Sequence, residues 1–110
     1  MPQLVKRFHQ NMSSDGNGSA FTLAAEYDRY PPKIHFHASG DFGSGEIKIQ
    51  YRSNNGVWRD TAHGPFTGSV DIHIQPIIDA EHRLVLSGST AAAIYYELAV
   101  IGEGDIVLNF

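Results

Sequence analysis

Cysteine is absent from this sequence of 110 residues, and basic side chains are fewer than acidic ones. Without cysteine there is no disulfide bond and no thiolate metal site, and the redox compartment is left open. The formal net charge of −4 disfavours a nucleic-acid binder that neutralises phosphates, and it disfavours an anionic membrane surface as a partner. No apolar run approaches the roughly 20 residues that span a bilayer. No apolar segment follows Lys6 and Arg7, so no signal peptide is visible and we expect synthesis in a cytoplasm.

The composition describes one globular domain with a core. Hydrophobic residues are 42% of the chain and charged residues 18%, which is enough apolar surface for a single domain of this length. Eleven glycines and five prolines are spread along the chain, as is typical of many short strands separated by turns. We find no internal repeat and no second globular domain.

The clearest pattern lies in residues 40–60, which predict a β-hairpin. Residues 45–52 alternate between an apolar face that includes Ile47, Ile49 and Tyr51 and a polar face. The following Asn54-Asn55-Gly56 favours a type I′ turn, because Asn-Gly tolerates positive φ values. A return strand containing Trp58 completes the hairpin.

Other segments repeat this alternation or are apolar throughout. We predict strands over residues 21–25, 33–39, 70–74, 83–87 and 105–110, with a break at Tyr30-Pro31-Pro32. Residues 92–101 would also suit a helix, but Ile94, Tyr95 and Tyr96 favour a strand buried on both faces. About eight strands and no clear helix predict an all-β fold, a single antiparallel β-sandwich or jelly-roll-like domain over residues 19–110.

The sharpest change of composition lies near the N-terminus. Residues 11–19 are polar and glycine-rich, with little to bury, so we predict that residues 1–18 form an extended N-terminal arm and a flexible linker. The arm is either a frayed terminus or a segment that docks on a neighbour. In the second case its partner-binding residues would be Leu4, Val5, Lys6, Arg7 and Phe8.

Histidines raise the question of a metal site. His35 and His37 lie two apart on the outward face of one predicted strand, and His73 lies on the outward face of another. A His-x-His pair of this kind holds a metal in cupins, but the carboxylate and the second motif of cupins do not follow here. We therefore expect surface histidines and no metal or other cofactor.

No catalytic arrangement is visible. No serine lies in a nucleophile-elbow pattern, and the glycine-rich residues 40–45 lead into a strand rather than into the helix that a phosphate loop needs. Acid–base groups are plausible by residue type alone: Asp60, His63, Asp71, Asp79, Glu81 and His82. We predict that the protein is not an enzyme.

Aromatic residues leave a carbohydrate-binding module open as an alternative. Such a module stacks sugars on exposed, coplanar rings, and the candidates are Tyr27, Tyr30, Tyr51, Trp58, Tyr95 and Tyr96. We expect Tyr51, Trp58 and one of Tyr95 and Tyr96 to fill the core instead.

The order of segments over residues 40–101 resembles a known group of proteins. This stretch begins with a glycine-rich turn, the strand IKIQYR, an Asn-Gly turn and a Trp-containing strand. It continues with a loop containing Phe66-Thr67-Gly68, a strand ending at Pro76, the segment RLVLSG and an Ala-Tyr-rich strand. This pattern is similar to the small β-sandwich virion structural proteins of tailed bacteriophages.

The resemblance implies a structural role on a virion without catalytic residues. The protein would be a capsid decoration (cement) protein or a small tail or head-fibre component, acting as a homo-oligomer on the major capsid protein or other virion subunits. A carbohydrate- or host-surface-binding module associated with a tail or fibre is the alternative. Neither function implies a nucleic acid, a membrane or a cofactor.

Overall fold

The computed structural model describes residues 3–24, 33–77, 80–102 and 104–108, which form two antiparallel sheets. The strands, in chain order, are β1 (Gln3–Val5), β2 (Arg7–Met12), β3 (Gly16–Asn17), β4 (Phe21–Ala24), β5 (Lys33–Asp41), β6 (Glu46–Arg52), β7 (Trp58–Asp60), β8 (Val70–Ile74), β9 (Glu81–Ser87), β10 (Ala93–Ile101) and β11 (Asp105–Leu108). The larger sheet has the order β1-β11-β4-β9-β6-β7, with β3 also paired to β9, and the smaller sheet has the order β2-β10-β5-β8. The predicted all-β sandwich is confirmed, with more strands than the eight expected.

The core lies between the sheets, where the inward face of each strand meets its counterpart. Alternate residues along the strands are buried while their neighbours are half-buried or exposed, as the period-2 pattern predicted. The largest fully buried side chains are Tyr96, Phe21, Phe36, Leu23, Ile34, Ile47, Ile49, Ile74, Leu84, Leu86, Ile94 and Leu98. Burying each such side chain contributes about 1.5–3 kcal/mol, so these residues supply the main driving force for folding.

The N-terminal segment differs from the prediction of an arm and flexible linker over residues 1–18. β1 pairs with β11 in the larger sheet, β2 pairs with β10 in the smaller sheet, and Lys6 carries the chain from one sheet to the other. The Lys6 carbonyl accepts a hydrogen bond from the Val100 N–H at 2.9 Å. Phe8, Gln10 and Met12 face inward and Arg7, His9 and Asn11 outward. The polar Gln10 on the inward face concealed this alternation, because it is half-buried there with hydrogen bonds to Ser19 and to the distant Tyr96.

The glycine-rich residues that follow β2 are also held by the sandwich. β3 pairs with β9, and the Gly18 N–H donates to the Leu84 carbonyl at 2.8 Å. The Asp15 carboxylate accepts hydrogen bonds from the backbone N–H groups of Gly88 and Ser89, at 3.1 and 2.9 Å. The hydroxyl of Ser89, followed by these N–H groups, lowers the pKa of Asp15. Residues 3–18 are therefore continuous with the β-sandwich rather than a separate unit.

The central hairpin forms as predicted, but with a different turn. The Gly56 N–H donates to the Ser53 carbonyl at 2.8 Å and the Ser53 N–H donates to the Val57 carbonyl at 2.9 Å. Gly56 has φ +83°, whereas Asn55 is not among the residues with positive φ. This is the pattern of a three-residue loop with one left-handed glycine, and a type I′ turn would need two such residues.

β10 confirms the strand predicted for residues 92–101, but only one of its faces is buried. Ile94, Tyr96 and Leu98 lie in the core, while Tyr95 and Glu97 are half-buried on the outer face. β10 is central in its sheet, but nothing in the described residues covers the outer side of that sheet. The predicted Tyr30-Pro31-Pro32 break, and residues 109–110 of the predicted closing strand, lie outside the described residues.

Candidate functional site

The five residues predicted to bind a partner form an ordered edge of the sandwich, here called the N-terminal edge (Leu4, Val5, Lys6, Arg7 and Phe8). Val5 and Phe8 are half-buried and pack against the core, and the Phe8 ring meets the Tyr96 ring edge-on with centroids 6.4 Å apart. Leu4 points away from the core and is 64% exposed, more than any other large hydrophobic side chain described. Arg7 is exposed on the neighbouring sheet.

Lys6 has internal partners at this edge. Its ammonium forms an ion pair with Asp105 at 3.0 Å and donates a hydrogen bond to the Gly104 carbonyl. The structure therefore divides the predicted set: Leu4 and Arg7 are presented to solvent, while Val5, Lys6 and Phe8 attach the strand pair to the sandwich.

Four of the six histidines lie together on the outer side of the smaller sheet, here called the histidine face (His9, His35, His37 and His73, with Tyr95 between them). His35 is directly opposite His73, and their ring centroids are 5.3 Å apart. The Tyr95 ring lies 5.8 Å from that of His9 and 6.3 Å from that of His37. The sequence placed His35, His37 and His73 outward, and strand pairing brings them together with His9.

Carboxylates and hydroxyls complete this face. His35 Nε2 contacts an Asp71 carboxylate oxygen, and His37 Nε2 lies 3.2 Å from the Ser39 hydroxyl. The Tyr95 hydroxyl donates to Glu97 at 2.8 Å, and this bond raises the pKa of Tyr95. Among the residues that the structure describes, no group of three or more histidine, aspartate or glutamate side chains is placed to hold a metal ion.

A cavity of about 290 Å³ opens beside β7 and β8, and it brings three of the predicted acid–base residues together: Asp60, His63 and His82. Its walls are largely apolar and include Ile49 and Ile74. Of the other acid–base candidates, Asp71 lies on the histidine face, Glu81 pairs with Arg52 at 3.3 Å, and Asp79 lies outside the described residues.

Two of the three acid–base residues at this cavity already form hydrogen bonds with neighbouring groups of the protein. His82 is buried, with Nδ1 bonded to the Ala80 carbonyl at 2.9 Å and Nε2 accepting from the Ile77 N–H at 3.2 Å. Burial lowers the pKa of His82, while the bond to the Ala80 carbonyl opposes this shift; the bond from the Ile77 N–H requires an unprotonated Nε2. Asp60 accepts a hydrogen bond from Gln50 at 2.9 Å, and this bond, with Lys48, lowers the pKa of the carboxyl. The His82 imidazole thus binds the backbone of both Ile77 and Ala80.

The aromatic residues do not all lie where the sequence predicted. Trp58 is half-buried on the outer side of the larger sheet, with the Arg83 guanidinium 4.2 Å from its ring centroid, so the prediction that it fills the core was wrong. The hairpin register sets this position, because Trp58 pairs with the outward-facing Arg52. Tyr51 is half-buried at the cavity, Tyr96 is in the core, and Tyr27 and Tyr30 lie outside the described residues.

Comparisons with known proteins add no family to this description. Neither protein-family models nor curated protein sequences match the chain. The described part of the chain has no helix with the length and apolar character needed to cross a membrane.

Proposed function

We propose that this chain is a non-enzymatic structural protein of a tailed-bacteriophage virion, a capsid decoration protein that binds and stabilises the assembled shell. The resemblance of residues 40–101 to small virion proteins supports the proposal, and the β-sandwich is the fold that the resemblance implies. In this role the protein is made in the host cytoplasm, acts in many copies and contacts the major capsid protein or other virion subunits.

The observation that carries the proposal is the N-terminal edge, a preformed contact surface. β1 lies at the end of its sheet and, within the described residues, pairs only with β11, so its other side is free to accept a strand from a neighbouring subunit. Leu4 stands exposed on this strand and would add apolar contact worth about 1.5–2 kcal/mol if it were fully covered. An ordered edge loses less conformational entropy on binding than a mobile arm would.

High copy number would strengthen such a small contact. Each protomer offers one short strand and one large apolar side chain at this edge, which is a weak interaction alone. On a symmetric shell, a protein that also self-associates would engage several equivalent sites, and the effective concentration at the second site raises the overall affinity. This is why the proposal includes a homo-oligomer.

The proposal is tested by co-sedimentation with undecorated capsids assembled from the major capsid protein of the encoding phage. Wild type, Leu4→Asp and the matched control Val57→Asp are compared; Val57 is 48% exposed in the central hairpin. We expect saturable binding at a fixed stoichiometry for wild type and Val57→Asp, and at least tenfold weaker binding for Leu4→Asp. Absence of wild-type binding contradicts the decoration function. Equal binding of all three proteins keeps that function but excludes the N-terminal edge as the contact.

The carbohydrate-binding alternative has weaker geometric support. The rings of His9 and His37 are inclined to the Tyr95 ring by 35° and 56°, so these three do not form a flat stacking platform. The half-buried Trp58 has Arg83 against one side of its ring. A glycan-array screen of wild type and Trp58→Ala would reveal this function as binding that the substitution abolishes.

A further inference from the structure

The histidine face concentrates groups that become charged in mildly acidic solution. Strand register places His9, Glu97, His37 and Asp71 in one row across β2, β10, β5 and β8. His35 and His73 are opposite each other in the next row. Imidazole is the side chain whose ordinary titration falls between pH 5 and 8, and four imidazoles lie within these two rows.

The fixed charges around these imidazoles are few. The face carries two cationic side chains, Arg7 on β2 and Lys33 on β5, and three carboxylates, Asp41 on β5, Asp71 on β8 and Glu97 on β10. Two cations and three anions give these described residues a formal charge of −1 with neutral imidazoles. With all four imidazoles protonated the formal charge is +3.

The three carboxylates of the face are already counted in this sum, so they offset only part of the positive charge of four protonated imidazoles. Asp71 pairs with His35, and Glu97 accepts the Tyr95 hydroxyl. Within the described ranges, no carboxylate forms an ion pair with His9, His37 or His73. Protonation of these three rings would therefore create positive charge that an external carboxylate can neutralise.

We propose that the histidine face is a docking surface for a carboxylate-rich protein surface, engaged when its imidazoles carry a proton. Charge complementarity identifies the partner, since the face changes from weakly negative to positive. The short imidazole and phenol rings lose less rotamer freedom on contact than lysine side chains would. This inference does not rest on the proposed virion function, and Arg7 is the one residue of the N-terminal edge that also lies on this face.

Binding of a fluorescein-labelled 20-residue polyglutamate peptide, measured by fluorescence anisotropy at pH 5.5 and 7.5 in low salt, tests the proposal. The test variant is the triple substitution His35→Gln, His37→Gln and His73→Gln. The control variant, Lys48→Gln, Arg52→Gln and Arg59→Gln, removes three positive charges from the larger sheet. Each variant replaces three side chains that can carry a positive charge, so the comparison separates local docking from net charge. Near-ultraviolet circular dichroism verifies that each protein is folded at each pH.

We expect wild type and the control variant to bind the peptide at least tenfold more tightly at pH 5.5 than at pH 7.5. The triple histidine variant should lose that difference, and 200 mM salt should weaken the acid-pH binding. The proposal is overturned if wild type shows no such pH difference or if the control variant loses as much affinity as the histidine variant. Histidine-dependent self-association at pH 5.5 without peptide, seen by sedimentation velocity, would assign the face to a second copy of the chain and would also overturn it.

Discussion

Replacing Gln10 by alanine should destabilise the whole sandwich, because this side chain ties β2 to the core. Gln10 Oε1 accepts hydrogen bonds from the Tyr96 hydroxyl at 2.6 Å and from the Ser19 N–H at 3.0 Å, and Gln10 Nε2 donates to the Ser19 hydroxyl at 3.2 Å. Tyr96 is fully buried, and burial raises its pKa, so its hydroxyl stays a neutral donor that needs an acceptor.

The magnitude follows from what Gln10→Ala leaves behind. The substitution strands the buried Tyr96 hydroxyl, at a cost of about 1–3 kcal/mol, and removes the two bonds to Ser19, each worth about 1 kcal/mol or less at this partly buried position. The expected loss of unfolding free energy is therefore about 3 kcal/mol, out of the roughly 5–15 kcal/mol typical of a whole domain.

A double-mutant cycle separates the contribution of the buried Tyr96 hydroxyl from that of the two bonds to Ser19. Tyr96→Phe removes one bond but leaves Gln10 with its Ser19 donor, so it should cost about 1 kcal/mol. The double variant should cost about 2 kcal/mol, less than Gln10→Ala alone, because phenylalanine has no hydroxyl to strand. Non-additivity of this sign would identify the buried hydroxyl as the main source of the loss.

Urea unfolding followed by Trp58 fluorescence provides the assay. Trp58 lies on β7, in the other sheet from Gln10, so it reports on cooperative unfolding of the sandwich rather than on local fraying. With a slope of about 1.5 kcal/mol per molar urea, Gln10→Ala should lower the midpoint by about 2 M. The exposed neighbour Asn11→Ala is the control and should change the unfolding free energy by less than about 0.5 kcal/mol. A midpoint for Gln10→Ala within about 0.3 M of wild type would refute the reasoning and return the N-terminal segment to a dispensable arm.

Two further substitutions test the backbone and the buried imidazole. Gly40→Ala should lower the unfolding free energy by about 2–4 kcal/mol, because Gly40 has φ +110° and an added Cβ would lie 2.2 Å from the Ala93 carbonyl oxygen. Gly68→Ala is the control, since a Cβ added there would meet no atom within 4 Å. It should change the unfolding free energy by less than about 1 kcal/mol. A Gly40→Ala protein as stable as the control would contradict the close approach of β5 to β10 at this position. Folding lowers the pKa of His82, so the unfolded chain binds the proton at a higher pH than the folded protein does. Unfolding free energy is therefore lost as the pH falls below about 6.5, by at most about 1.4 kcal/mol per pH unit. Unfolding free energies of wild type and His82→Gln between pH 7.5 and 5 should converge as the pH falls, and parallel curves would show that His82 is not the group responsible.

Local alternation was enough to predict several strands and their inward faces. In β5, Ile34, Phe36 and Ala38 are buried while His35 and His37 lie on the other side, as the period-2 pattern requires. The same holds for Ile47 and Ile49 of β6. Successive side chains of a strand point to opposite faces, and this geometry does not depend on which strand lies alongside.

Segments whose stability comes from distant partners were harder to interpret. Residues 7–19 contain few apolar residues, and their order depends on pairing with β9 and β10 and on the contact between Gln10 and Tyr96, which are 86 positions apart. Trp58 appeared to be a core residue by type, but the length of the hairpin loop places it opposite Arg52 on the outer side. In both cases the hydrogen-bond register between strands decides where the side chains lie, and the register cannot be predicted from composition.

The sequence by itself determined that this chain is an all-β domain, which residues of β5 and β6 face the core, and that three of its histidines face outward. The tertiary structure alone decided that residues 3–12 contribute strands to both sheets and that Leu4 is left exposed at one edge. It also decided that His9, His35, His37 and His73 share one face. The physical reason is that side-chain alternation is a property of one strand, whereas the pairing of strands is set by the complementarity of whole faces and by hydrogen bonds between residues far apart in the chain.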